Sequence, residues 1–230
     1  MFRKKHSLIK GTLILTSAGL VSRVLGFFFR IFLSHTFGEE QVGLYQLIFP
    51  FYALCLSLST SGLETAISRS VSRFHSLGRT QDGKLIFKTG LILSVLISLI
   101  CTFLVQENSV FLSNRFLGDP RCATLLYLIV LALPAASVHS CICGYHYGLQ
   151  RTSVPAISQL LEQFVRISSV FVLYFIFLHS GVHPEISLAV SGIIFGEFAA
   201  AGYSLFSLKK SCFDADSPYN LSISKSCSEL

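Results

Sequence analysis

Six apolar runs separated by short polar stretches set the pattern of this chain. They cover residues 8–34, 42–68, 85–105, 122–147, 152–178 and 185–208, each at or above the roughly 20 residues that a helix needs to cross a bilayer. No segment alternates apolar and polar positions in the way a membrane barrel requires. The expected fold is therefore all-α and integral to the membrane, a bundle of six transmembrane helices. Pro50 and Gly62 fall inside the second run and Pro134 inside the fourth. The third run is the most uniformly apolar and is expected to pack with one face toward lipid. Residues 106–120 carry Glu107, Asn108, Asn114 and Asp119 and read as a polar connection. Residues 211–230 are polar and serine-rich and are expected to form a disordered cytoplasmic tail.

Composition agrees with the pattern. Hydrophobic residues make up 52% of the chain and charged residues 13%, against about 25% charged in soluble domains; mean hydropathy is +0.64. The basic N-terminus followed by an apolar run also has the outline of a signal peptide. The further runs, and the lack of an A-x-A-like cleavage site before Arg23, argue against it. With the N-terminus placed inside, thirteen of the 18 Lys and Arg fall on the inner side. Arg115 and Arg121 fall outside, and Arg23, Arg30 and Arg166 within the membrane. That bias places both termini in the cytoplasm. The +6 net charge is then a topology signal, and nucleic-acid binding is excluded as its explanation. Seven cysteines form no disulfide framework, CxxC pair or zinc pattern. No metal site or cofactor is called for.

The chemistry lies in the charges inside the runs. Arg23 and Arg30 are two helical turns apart and share one face of the first helix. Each costs roughly 2.5 to 3.5 kcal/mol at bilayer depth, so that face is expected to look into protein or a watery cavity. On the fifth helix Gln159, Glu162, Gln163 and Arg166 form one polar stripe at i, i+3, i+4 and i+7. Glu162 and Arg166 are spaced to pair; the stripe reads either as an internal ion pair or as the lining of a polar pathway. Ser57, Ser61, Glu64 and Ser68 make a matching stripe on the second helix. The serines suit close helix packing, and Glu64 is expected to pair with Arg23 or Arg30. Glu197, in GIIFGEFAAAG, sits among glycines that indicate tight helix contact.

Two blocks carry a family resemblance. One is LIKGTLILTSAGLVSRVLGFFFRIFLSHTFG from Leu8 with the following GLYQLIFPFYALCLSLSTSGLETAIS; the other is GYHYGLQRTSVPAISQLLEQFVR, ending at Arg166. Together they resemble the polysaccharide transporter family of the MOP flippase superfamily, which includes the MurJ-like lipid II flippases, over Leu8 to about Leu208. The resemblance implies a flippase. Such proteins move undecaprenyl-pyrophosphate-linked oligosaccharide or peptidoglycan precursor across the bilayer by alternating access between two six-helix lobes. It also implies that first-helix arginines hold the pyrophosphate. The string Ser22–Phe27 carries that role onto Arg23, while Arg30 sits one residue further along than the family pattern. The candidate substrate-binding residues are Arg23, Arg30, Glu64, Gln159, Glu162, Gln163 and Arg166.

Family members have about fourteen helices, so six correspond to the N-terminal lobe. The expectation is a fragment or truncated product, with the second lobe supplied by a missing C-terminal half or a second copy. The alternatives are half of a MATE-like drug/cation antiporter, or a membrane protein that transports nothing. An enzyme is not expected, since the chain has no HExxH motif and no Ser/His/Asp set.

Overall fold

The computed structural model describes residues 2–181 and 184–215; the expected tail lies outside them apart from the end of the last helix. Among the described residues there is no strand. Eight helices follow in order: α1 (Phe2–Phe37), α2 (Glu39–Ser76), α3 (Thr80–Glu107), α4 (Ser109–Leu112), α5 (Cys122–Ile129), α6 (Leu133–Gly148), α7 (Ser153–His179) and α8 (Ser187–Ala215). Among the described residues, six segments are long and apolar enough to cross a membrane: Gly11–Phe37, Glu39–Ser76, Thr80–Glu107, Cys122–Gly148, Ser153–His179 and Ser187–Lys209. The protein is a multi-pass membrane protein with an all-α lobe.

Polar residues that end an apolar run do not end a helix, and α2 shows why. Its first turn carries Glu39 and Glu40 and its last turn Arg73 and His75, charges of the sign that each helix terminus favours. It therefore runs past residue 68 to Ser76. The connection over 106–120 is not an open loop. It folds as α4 and a π-helical turn, Ser113–Leu117, closed by Gly118 at φ 75°, a left-handed conformation that glycine adopts without a Cβ penalty. Arg121 then binds Asp119 at 2.9 Å and Glu40 at 2.7 Å, tying the turn to the start of α2. The Asp119 carboxyl is held below the ordinary carboxylate range by Arg121, first through the side-chain hydrogen bond and then through the backbone N–H.

The fourth crossing is broken at its proline. Pro134 has no N–H for the carbonyl of Val130, and Val130–Ala132 tightens into a 3₁₀ turn between α5 and α6. The released carbonyl is not left bare: the Leu133 N–H donates to it, and Thr102 Oγ1 on α3, which also donates to the Ser98 carbonyl at 2.8 Å, lies 3.1 Å away.

The main packing pairs are α7 with α8, α2 with α6, α2 with α3, α1 with α7, α3 with α6 and α6 with α8. The Cys122–Gly148 and Ser187–Lys209 crossings are the most buried and form the centre. Leu33, Ile48, Leu126, Ile129, Leu133 and Ile193 make the fully buried heart of the larger core cluster. Two seams let backbones touch. A Cβ on Gly144 would lie 2.8 Å from the Glu64 carbonyl oxygen, and one on Gly148 2.8 Å from that of Ser68. A Cβ on Gly192 would lie 2.4 Å from Val170 Cγ2, and one on Gly196 2.9 Å from the Glu162 carbonyl oxygen. Both are small-xxx-small spacings, the close-approach device of membrane helices. On α3, Ser94, Ser98 and Thr102 face inward, while Ile92, Leu96 and Phe103 are exposed on the outer face.

Candidate functional site

The polar stripe of α7 is clamped from both sides. Gly192 and Gly196 bring α8 against it, and on the other flank Gly26 of α1 comes so close that a Cβ there would be 3.3 Å from Gln163 Nε2. The stripe is thus divided between two clefts.

The first cleft, of about 330 Å³, lies between α1, α2 and α7 and is lined by Ser22, Arg23, Arg30, Gln163 and Arg166, with Tyr45 and Phe49 among its walls. The heptad spacing of Arg23 and Arg30 does put them along one opening. Both are exposed, and neither has an acidic partner among the described residues. Arg166 is half-buried and donates from Nη2 to Glu162 Oε1, while its Nε is buried without a hydrogen-bond partner. The ion pair and the cleft lining therefore coexist in one side chain. Three guanidinium groups line this aromatic-walled cleft, and a guanidinium grips phosphate oxygens through paired N–H donors.

The second cleft, of about 350 Å³, is acidic. It is lined by Thr60, Glu64, His139, Ser140, Gln159, Glu162 and Glu197, among others. Glu64 does not pair with Arg23 or Arg30: Ser140 Oγ on α6 donates to its Oε2 at 2.5 Å. The Gly144 contact holds α2 against α6 at this level, which turns Glu64 toward α6 and away from α1. Of the glycines around Glu197, Gly192 and Gly196 mark a tight contact with α7, whereas Gly202 meets nothing within 4 Å. Glu197 itself lies beside His139, whose Nδ1 is 3.7 Å from Glu197 Oε2. His139, Glu162 and Glu197 gather their ligand atoms within 4.8 Å of one another. Sequence reasoning missed His139 altogether. Its neighbours come from α7 and α8, and no spacing along α6 hints at them. Cys55, Cys101, Cys122, Cys141 and Cys143 form no disulfide, and all but the half-buried Cys101 are buried.

Comparison with known proteins gives a consistent result. Residues 8–225 match the family described as Polysaccharide biosynthesis protein. The chain is 37% identical over 199 residues to stage V sporulation protein B of Bacillus subtilis (strain 168), covering 86% of this chain and 38% of that protein. It is 28% identical over 207 residues to the lipid II flippase MurJ of the same organism, covering 86% of this chain and 36% of that one. The uncharacterized membrane protein YabM, again of that organism, is 24% identical over 212 residues, covering 90% and 39%. No solved structure matches. The chain thus spans well under half the length of these relatives. With the match running along nearly the whole chain, it belongs to the polysaccharide biosynthesis protein family.

Proposed function

We propose that the chain is the N-terminal lobe of a flippase that carries undecaprenyl-pyrophosphate-linked oligosaccharide or peptidoglycan precursor across the bacterial cytoplasmic membrane. The observation that carries the reading is the basic cleft, where Arg23, Arg30 and Arg166 converge and the first two have no acidic partner among the described residues. Placing unpaired arginines in a membrane segment is costly, and a diphosphate headgroup supplies the missing counter-charge. Gln163 adds an amide at the same opening, while Glu64, Gln159 and Glu162 continue the polar path into the neighbouring cleft. No covalent bond is made or broken, so the protein is a transporter and not an enzyme. The similarity to a protein named as a lipid II flippase supports the same direction.

In this reading both termini lie in the cytoplasm, where the lysines and arginines cluster. The second lobe closes over the face formed by α1 and α7, from a C-terminal half or from a second copy, and alternating access follows from rocking of the two lobes.

The test is Arg23→Ala in the complete transporter. It is expected to abolish rescue of a flippase-depleted strain with membrane levels near normal. Arg23→Lys rescues in part, since an ammonium lacks the guanidinium fork. Full rescue by Arg23→Ala removes Arg23 from the substrate site. The drug/cation antiporter alternative has the acidic cleft in its favour, and it is indicated if Arg23→Ala is silent while Glu64→Gln abolishes transport of an organic cation.

A further inference from the structure

The acidic cleft holds an arrangement that anion recognition does not use. His139 on α6, Glu162 on α7 and Glu197 on α8 come from three helices and converge. Glu197 is 8% exposed, and its buried Oε2 has no hydrogen-bond partner among the described residues. The nearest basic atom, His139 Nδ1, is 3.7 Å away, well beyond the roughly 2.7–2.9 Å of a charge-assisted hydrogen bond.

The tautomer of His139 follows from its other nitrogen. Nε2 lies 3.0 Å from Ser158 Oγ. That hydroxyl has a single proton, which it donates to the Pro155 carbonyl at 2.9 Å. Ser158 therefore accepts from Nε2–H, and the lone pair of the neutral ring is on Nδ1, toward Glu197. A hydrogen-bonded outer nitrogen is the usual support of a metal-binding histidine.

We propose that His139, Glu162 and Glu197 bind one divalent transition-metal cation of the zinc or cobalt class. This goes beyond the flippase reading and does not rest on it. Two ligands about 2.1 Å from a metal and 3.7 Å from each other subtend about 120°, an angle open to a four-coordinate ion. The Glu162 carboxylate has two oxygens, so the hold of Arg166 on Oε1 leaves the second for the cation. The ligand atoms of the three residues lie within 4.8 Å of one another, and a small contraction brings them to metal-binding distance. Charge gives the same answer. The cleft is lined by three carboxylates, Glu64, Glu162 and Glu197, and Arg166 offsets one of them. The residual two negative charges match a divalent ion, and an imidazole nitrogen among the ligands favours zinc-like metals over calcium or sodium. The cleft opening leaves a coordination position for water.

The experiment is titration of the tag-free 230-residue chain in detergent with Co²⁺, followed by its visible ligand-field band. One equivalent is expected to saturate the band, and Zn²⁺ to displace it. His139→Gln and Glu197→Gln should each weaken binding at least tenfold, and Ser158→Ala by about 10- to 100-fold through loss of the outer hydrogen bond. Absence of a band in the wild type, or unchanged affinity in Glu197→Gln, overturns the proposal. Should a variant fail to fold, X-ray absorption at the cobalt edge of the wild-type complex decides. A nitrogen and oxygen shell with one imidazole supports the site, whereas sulfur ligation, pointing to a cysteine, overturns it.

Discussion

Arg166 and Glu162 hold each other on the flank of α7 with side chains 19% and 18% exposed, between the surface and the buried regimes. Removing the acid with Glu162→Ala leaves a half-buried guanidinium alone, and the expected loss is about 1–3 kcal/mol after allowance for solvent screening. A thermal melt in detergent measures it, and an unchanged midpoint would show that water already serves Arg166. At this scale the sequence was readable only within a helix. Arg23 with Arg30, and Glu162 with Arg166, follow from the helical period, and the structure has both pairs together. Contacts between helices did not follow. Glu64 meets Ser140 instead of an α1 arginine, and His139 meets acids from two other helices, because side-chain partners across a bundle depend on helix rotation that spacing along one chain does not encode.

The helices themselves were legible because an apolar run of bilayer length has few alternatives. What the runs could not convey was continuity. Pro134 breaks the fourth crossing into two helices, whereas the polar connection after α3 is helical, since a polar face is no obstacle to a helix at a membrane surface. Glycine spacing was the more telling signal at this level. Gly192→Ala pushes a methyl to 2.4 Å from Val170 Cγ2 and 2.9 Å from the Arg166 carbonyl oxygen, and parting α7 from α8 is expected to cost about 1–3 kcal/mol. Gly202→Ala, on the same helix with nothing within 4 Å of the added carbon, should instead stabilise by about 1 kcal/mol through helix propensity. Equal melting temperatures for the two variants would mean that the α7–α8 seam has room to spare.

Across the whole lobe, the two clefts lie on either side of α7 and meet at one side chain. Arg166 lines the basic opening and at the same time neutralises Glu162 in the acidic one. Loosening that hold should send positive charge toward the basic opening. Glu162→Gln is therefore expected to tighten binding of a phosphate-headed lipid several-fold in an equilibrium binding assay, and unaltered binding would show the clefts to be independent. A guanidinium shared in this way makes the two occupants partners in one thermodynamic cycle. A cation on the second oxygen of Glu162 would share that carboxylate's charge and weaken its hold on Arg166. It should therefore raise affinity for an anion at the arginines, and the anion should then raise affinity for the cation by the same factor, typically about 5- to 150-fold where sites are linked. Loading of either side then favours loading of the other.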